Sequence, residues 1–277
     1  MSNILVRTIT GAVFITVLLT TFYLGSAYTT FLFGIIITLA LTEFYNLFKS
    51  DTNVKPLFLA GIIGGVLIYL FSISNYFLAF NLNFQIPQIV FNLKFLIILL
   101  VFLFIFIVEL YRKTSQPMLN IALTLSGWLY IIAPFYFIAL IAYLPKGSLL
   151  ITGLFLLVWT NDTFAYLTGS FIGKTKLFER ISPKKTWEGT IGGVIFAVLV
   201  GYLFSFFLEI EPTFWMVAAF IIALAAILGD LFQSMIKRSV NVKDSGSILP
   251  GHGGMLDRFD AVIFAGPCFY VFLHLWH

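Results

Sequence analysis

The chain alternates long apolar runs with short polar interruptions along most of its length. Many runs extend for about twenty residues, the number that a helix needs to cross a bilayer core of about 30 Å. Helices are the expected element because, in lipid, a helix satisfies its own backbone hydrogen-bonding groups. The pattern predicts nine crossings, near residues 5–24, 27–47, 57–74, 94–111, 119–143, 148–169, 190–208, 213–236 and 259–276.

Composition favours an all-α, polytopic integral membrane protein over a soluble one. Hydrophobic residues make up 60% of the 277 residues and only 10% are charged, whereas a soluble domain carries about 25% charged residues. The stretch from Asn75 to Asn92 is rich in Asn and Gln and contains Pro87. We therefore expect it to form an interfacial excursion and not a span.

The positions of the cations predict an orientation in the membrane. If the N-terminus is cytoplasmic, all sixteen Lys and Arg residues except Lys94 and Lys146 lie on or near the cytoplasmic side, as the positive-inside rule requires. The same topology places the polar loops 170–188 and 237–258 on that side. The net charge of +4 then reflects basic loops beside anionic head groups, and not a nucleic-acid surface.

The two parts of the chain differ in character. Residues 1–145 are almost entirely apolar and are expected to be scaffold helices, whereas the charged residues suited to chemistry cluster after Asn161, within 146–277. The only cysteine is Cys268, which excludes an internal disulfide and a cysteine-based zinc site. We expect one membrane unit whose C-terminal half is catalytic.

Two acidic residues, Asp162 and Asp230, fall inside predicted spans, where a charge is costly and needs an explanation. Asp230 is followed by Ser234, Lys237 and Arg238 at i+4, i+7 and i+8, which places the four side chains on one helical face. That arrangement suits a metal ion bridged to phosphate oxygens. An ion pair within the helix is the structural alternative.

A glycine-rich segment, residues 250–254, follows this helix and precedes Asp257 at the start of the last one. Glycines allow the backbone to approach a ligand closely and leave amide groups free to face anions. Carboxylates of Asp230 and Asp257, completed by water and phosphate oxygens, suit Mg²⁺. Arg258 can instead pair with a neighbouring carboxylate, and His252 can instead hydrogen-bond within the turn.

Other features indicate structure and not chemistry. Segment 169–175 resembles a phosphate-binding loop, but it has three residues between its glycines instead of four and follows a membrane span instead of a strand. Glu43 and Glu109 lie near helix ends and are expected to be interfacial and not catalytic. Two small-residue pairs predict close helix contacts: Gly61 with Gly65, and Gly189 with Gly193.

The polar blocks resemble the phosphatidate cytidylyltransferase family (CDP-diacylglycerol synthases), whose C-terminal pattern runs S-x-x-K-R, K-D, H-G-G and D-R-x-D. The matching residues are Ser234, Lys237, Arg238, Lys243, Asp244, His252, Gly253, Gly254, Asp257, Arg258 and Asp260. Residues 182–189 resemble the family's other cytoplasmic loop, and residues 161–166 fit the helix before it. The likeness covers residues 155–277.

The resemblance implies that CTP reacts with phosphatidic acid to give CDP-diacylglycerol and pyrophosphate, with Mg²⁺ required. It also implies a two-cation centre held by Asp230 and Asp257, in which K⁺ is a candidate second ion. A homodimer in the cell inner membrane, with the site facing the cytoplasm, is the expected setting.

This chemistry assigns the remaining polar residues to roles. The residues expected to act in catalysis are Lys237, Arg238, Lys243 and Asp260. Those expected to bind substrate are Ser182, Lys184, Lys185, Thr186, Ser234, His252, Gly253, Gly254 and Arg258. Asp244 and Asp260 are also candidates for a supporting role, next to the ligands or in ordering the loop.

Two other functions stay open at this point. A CTP-dependent polyprenol or lipid-alcohol kinase would release CDP, whereas a cytidylyltransferase releases pyrophosphate. A transporter would use carboxylates within the membrane to carry protons or cations, but it predicts charges spread along a pathway, and here they crowd one predicted side.

Overall fold

A computed structural model of the chain describes residues 3–49, 54–82, 88–208, 210–249, 251 and 253–276. These residues form ten α-helices, one π-helical turn and two short strands. The helices are α1 (Asn3–Leu24), α2 (Ser26–Leu47), α3 (Phe58–Leu82), α4 (Gln88–Tyr111), α5 (Pro117–Gly127), α6 (Ala133–Ile141), α7 (Gly147–Ile172), α8 (Trp187–Leu208), α9 (Pro212–Ser239) and α10 (Leu256–Leu275).

Within the described residues, nine helical segments are long and apolar enough to cross a membrane, with α5 and α6 forming a single segment. Large apolar side chains such as Phe31 and Leu129 remain about three-quarters exposed, as is expected of surfaces that face lipid chains. The predicted all-α, polytopic architecture with nine spans is confirmed, and the protein is a multi-pass membrane protein.

The polar stretch before α4 differs from its prediction. Residues 75–82 continue α3 and residues 88–92 begin α4, although the sequence indicated an excursion over 75–92. Residues 83–87 lie outside the described residues. Helix α3 tolerates its polar residues because Lys94 Nζ of α4 donates hydrogen bonds to Ser74 Oγ at 2.6 Å and to Asn75 Oδ1 at 2.7 Å. The ammonium group of Lys94 and these two polar groups therefore satisfy one another's hydrogen-bonding needs where α3 contacts α4.

The span formed by α5 and α6 contains a wide turn. Residues Trp128–Ile132 are π-helical, and the amide of Ala133 donates to the carbonyl of Trp128. Pro134 follows immediately and has no amide hydrogen to donate. The π turn lets the helix continue past the proline without breaking the span.

The chain divides into two compact units, and the first comprises residues 1–148 together with 244–257. Helix α2 lies at its centre and packs against α1, α3, α5 and α6. A side chain at Gly61 would collide with the Tyr45 ring, and one at Gly65 with Leu41. The predicted packing role of this glycine pair is confirmed.

The second unit comprises residues 149–243 and 258–277. It contains an antiparallel hairpin of β1 (Lys176–Phe178) and β2 (Ser182–Thr186), which the sequence did not predict. Helix α8 packs along α9 and lies so close to α7 that a side chain at Gly193 would meet Asn161 and Ala165. A side chain at Gly189 would meet the Ala165 carbonyl, so this glycine pair also serves packing.

Candidate functional site

Three carboxylates of the second unit are close enough for their charges to interact: Asp162 on α7, Asp230 on α9 and Asp260 on α10. We call them the acidic cluster. Lys185 acts electrostatically on Asp162, and Lys237 acts on Asp260. The cluster therefore combines hard oxygen donors with fixed positive charge.

The close approach of α9 to α10 explains why two of these carboxylates meet. Gly229 directly precedes Asp230, and a side chain at this position would collide with the backbone carbonyl of Asp260. The absence of a side chain at Gly229 lets the two helix backbones come together, and it brings Asp230 and Asp260 with them.

Both oxygens of Asp230 have partners within the second unit. Lys185 Nζ lies 2.5 Å from Oδ2, and Ser234 Oγ donates to Oδ1 at 3.3 Å. The Ser234 contact confirms that the predicted i+4 pair shares a helical face. The described ion pair of Asp230 is made with Lys185 of the hairpin. The two charged side chains are 27% and 31% exposed, so the pair is partly open to an approaching ligand.

The hairpin that carries Lys185 is anchored at its ends. Thr186 is buried and caps α8, with its Oγ1 accepting a hydrogen bond from the amide of Gly189 at 3.2 Å. The carboxylate of Glu188 accepts hydrogen bonds from the amides of Lys174 and Thr175, both at 3.1 Å. Lys185 therefore extends from a strand whose end is fixed to a helix.

Those contacts also explain the structure of residues 169–175, the segment that resembles a phosphate-binding loop. Residues 169–172 are the last turn of α7, and the amides that follow are occupied by Glu188. Gly169 lies against Gly189 and Thr186. These contacts agree with a structural role for this segment.

The cations around the end of α9 differ in exposure. Lys237 is only 9% exposed, whereas Arg238, Lys243 and Arg258 are exposed. Arg238 Nη1 donates to the carbonyl of Val242 at 3.0 Å, which satisfies a backbone group just beyond the helix. On the hairpin, Ser182 is half-buried and Lys184 is exposed.

In the first unit, the described residues 244–249, 251 and 253–257, which we call the glycine loop, are folded around Asp257. Its Oδ2 accepts hydrogen bonds from the amides of Ser245 at 2.9 Å and Gly254 at 3.1 Å. Gly253 has a φ of +81°, and its carbonyl accepts from the Leu249 amide at 3.0 Å. This left-handed backbone favours glycine, so Gly253 serves the tight turn.

These contacts do not test the roles that were predicted for His252 and Asp244. His252 lies outside the described residues, and Asp244 is exposed. Asp257 belongs to the first unit and Asp230 to the second, so their shared metal site stays a prediction. Among the described residues, no three His, Cys, Asp or Glu side chains are grouped as a metal site. The predicted ligands Asp230 and Asp257 are oxygen donors of the kind that Mg²⁺ prefers, and this ion uses few protein ligands and keeps water and phosphate oxygens.

Sequence reasoning missed the environment of Glu43. Its side chain is buried, with only 3% of the residue exposed, as is Glu109 at 2%, although both were expected at the interface. The carboxylate of Glu43 accepts hydrogen bonds from the amides of Met255 and Leu256, both at 2.8 Å. An isolated acid in a long apolar run was the available signal, because burial without partners is costly.

Comparison with known proteins finds similar proteins that are named phosphatidate cytidylyltransferases. A phosphatidate cytidylyltransferase of Rickettsia bellii is 40% identical over 174 residues, which cover 58% of this chain and 72% of that protein. One of Staphylococcus haemolyticus is 46% identical over 121 residues. That match covers 43% of this chain, and the chain spans about half the length of the staphylococcal relative, 46%. The model of the cytidylyltransferase family matches residues 5–276, so the chain belongs to this family of nucleotidyltransferases.

Proposed function

We propose that this chain transfers CMP from CTP to phosphatidic acid, giving CDP-diacylglycerol and pyrophosphate for phospholipid synthesis. The observation that carries the proposal is the partly exposed Lys185–Asp230 pair within the acidic cluster. Because the pair is partly exposed, Lys185 can leave Asp230 to contact a triphosphate, and Asp230 can then bind a metal ion. The relatives that are named phosphatidate cytidylyltransferases support the identity of the two substrates.

Asp230 and Asp257 are the proposed ligands of Mg²⁺, and K⁺ is a candidate for a second cation. When bound, a divalent ion supplies charge neutralisation on the phosphate oxygens that it contacts. Asp230 fits this role because its oxygens are held by one lysine and one hydroxyl group. For Asp257, one oxygen is already engaged with the amides of Ser245 and Gly254, which would orient the other.

The acceptor needs no strong base. A phosphomonoester has a second pKa near 6, so the lipid phosphate is largely dianionic at neutral pH. One of its oxygens attacks the α-phosphorus of CTP and forms a new phosphoanhydride bond. The bond from the α-phosphorus to the bridging oxygen of the β-phosphate breaks, and pyrophosphate leaves with that electron pair. The chain's task is to position two anions and to offset their repulsion.

The cations of the second unit are proposed to perform that task. Lys185 leaves Asp230 for the triphosphate, and Lys184 adds charge from the same strand. Lys237, Arg238 and Lys243 contact phosphates as the α-phosphorus is transferred.

The other predicted substrate residues fall into two sets. The hydroxyls of Thr186 and Ser234 and the amide of Gly254 already have partners in the protein, so we propose that these three position the site. The residues proposed to contact substrate directly are Ser182, His252, Gly253 and Arg258. Asp260 is proposed to hold Lys237 in place through the electrostatic attraction between the two side chains.

Purified protein in liposomes that contain phosphatidic acid tests the proposal. With CTP and Mg²⁺ we expect equal amounts of pyrophosphate and CDP-diacylglycerol, and neither product without Mg²⁺. Release of CDP instead of pyrophosphate would indicate a lipid kinase. Solute flux without CTP, and no CDP-lipid, would indicate a transporter. Liposomes with labelled nucleotide on one side would test the proposed cytoplasmic site, and cross-linking would test the proposed homodimer.

A further inference from the structure

The carboxylate of Glu43 on α2 binds the glycine loop at both of its ends. Its Oε2 lies 3.1 Å from Ser245 Oγ, which donates to it, and also accepts from the Leu256 amide at 2.8 Å. Its Oε1 accepts from the Met255 amide at 2.8 Å. One buried side chain thus joins the first residues of the loop to the start of α10.

The partners of Glu43 suit a negative charge. The amides of Met255 and Leu256 lie at the N-terminus of α10, where the first helical amides lack intrahelical acceptors and the helix dipole is positive. Charge-assisted hydrogen bonds of this kind are about twice as strong as neutral ones. Glu43 therefore caps a helix from a residue more than 200 positions away.

At two glycines of the loop, the backbone lies directly against this carboxylate. A side chain at Gly246 would lie 2.6 Å from Glu43 Oε1, and one at Gly254 would collide with both Glu43 and Ser245. Gly254 in turn donates its amide to Asp257. The backbone that orients Asp257 is therefore packed directly against the Glu43 carboxylate.

The other buried glutamate of this unit has no such connection. Glu109 interacts with Arg112 at 2.8 Å, Thr114 at 2.6 Å and Asn120 at 2.6 Å. All three partners lie in α4, α5 or the link between them, and none belongs to the glycine loop. Glu109 is therefore a matched control for burial, charge and hydrogen bonding.

We propose that Glu43 is a positioning residue that holds the glycine loop in the conformation in which Asp257 meets metal and nucleotide. This inference rests on the proposed function for its effect on activity, but its structural part stands without it. The N-terminal half of the chain then contributes to the site and is more than a membrane scaffold.

The first test is hydrogen exchange in the metal-free protein, comparing Glu43→Gln with Glu109→Gln. Glutamine keeps the volume but offers one acceptor oxygen and turns an NH₂ group toward donors. We expect amide exchange in peptides covering 245–256 to speed up at least tenfold in Glu43→Gln and to stay unchanged in Glu109→Gln. Equal exchange in both variants would overturn the proposal, whether or not the protein makes CDP-lipid.

The second test is the Mg²⁺ dependence of pyrophosphate release. Removing a group that orients a metal ligand typically weakens metal affinity about 10–100-fold, so half-saturation by Mg²⁺ should rise by that factor in Glu43→Gln. The kcat at saturating Mg²⁺ should fall by less than about threefold, and Glu109→Gln should show no shift in half-saturation. A loss of thermal stability with unchanged Mg²⁺ dependence would reduce Glu43 to a structural residue and overturn the proposal.

A milder variant keeps the proposal testable if Glu43→Gln does not fold. Ser245→Ala removes one hydrogen bond to Glu43 and leaves both helix amides in place. We expect faster exchange in 245–256 and a smaller rise in Mg²⁺ half-saturation. Unchanged exchange and unchanged half-saturation in this variant would overturn the proposal in the same way.

Discussion

Two acidic side chains, Asp230 in the second unit and Glu43 in the first, occupy opposite kinds of environment. Asp230 is about one-third exposed at its side chain and is paired with a lysine and a hydroxyl. Glu43 is buried and is held by two backbone amides and a hydroxyl. A lysine side chain can move away, whereas amides of a helix terminus cannot.

The free-energy cost of breaking these contacts is also lower for Asp230 than for Glu43. Exposed ion pairs typically contribute about 0–1 kcal/mol, and the partial exposure of the Asp230–Lys185 pair makes it the easier of the two contacts for a ligand to open. Leaving a buried donor or acceptor unsatisfied costs about 1–3 kcal/mol, and more when the group is charged, so the contacts of Glu43 persist. An exchangeable carboxylate is thus suited to chemistry, whereas a permanently held one is suited to fixing geometry.

The largest expected effect tests whether Asp230 is exchangeable and chemical. Asp230→Asn should lower the turnover of phosphatidate and CTP about 10²–10³-fold, the typical loss when an electrostatic group of a transition state is removed. Thermal stability should change little because the side chain is partly exposed. Pyrophosphate release at saturating Mg²⁺ measures the effect, with Glu179→Gln, an exposed acid of the same hairpin, as the control. Near-normal turnover would defeat the metal assignment of Asp230.

A smaller effect is expected at the partner of Asp230. Lys185→Ala should lower kcat/KM for CTP about 10–100-fold, because a charge-assisted phosphate contact of about 1.5–3 kcal/mol is lost, and Lys185→Arg should restore part of it. Lys176→Ala on the neighbouring strand should leave the kinetics unchanged. Initial rates over a range of CTP concentrations measure the effect. Normal turnover of Lys185→Ala at low CTP would remove this residue from the site.

The smallest kinetic effect is expected at Thr186, because its hydroxyl caps α8. Thr186→Ala should lower the free energy of unfolding by about 1 kcal/mol and change turnover less than about threefold, whereas Thr186→Ser should restore stability. Thermal unfolding in detergent and the pyrophosphate assay provide the two readings. A large loss of turnover with unchanged stability would return Thr186 to the substrate contacts.

Much of the fold could be predicted because the bilayer imposes a fixed length on each apolar run. The nine spans follow from that constraint, whereas the packing of Gly61 with Gly65 and of Gly189 with Gly193 follows from their small-residue spacing. The hairpin of β1 and β2 was missed because its strands have three and five residues. Such short strands carry almost no periodic signal, and their pairing depends on the helix that follows them.

The sequence by itself determined that this is a helical membrane protein whose acids and bases gather in its C-terminal half. Charges within a span are so costly that Asp162 and Asp230 stood out without a structure. Only the tertiary structure decided the partners of these charges, because contacts such as Lys185 with Asp230, or Glu43 with Leu256, join residues far apart along the chain. Local patterns record which groups must find a partner, whereas the packing of helices selects the partner.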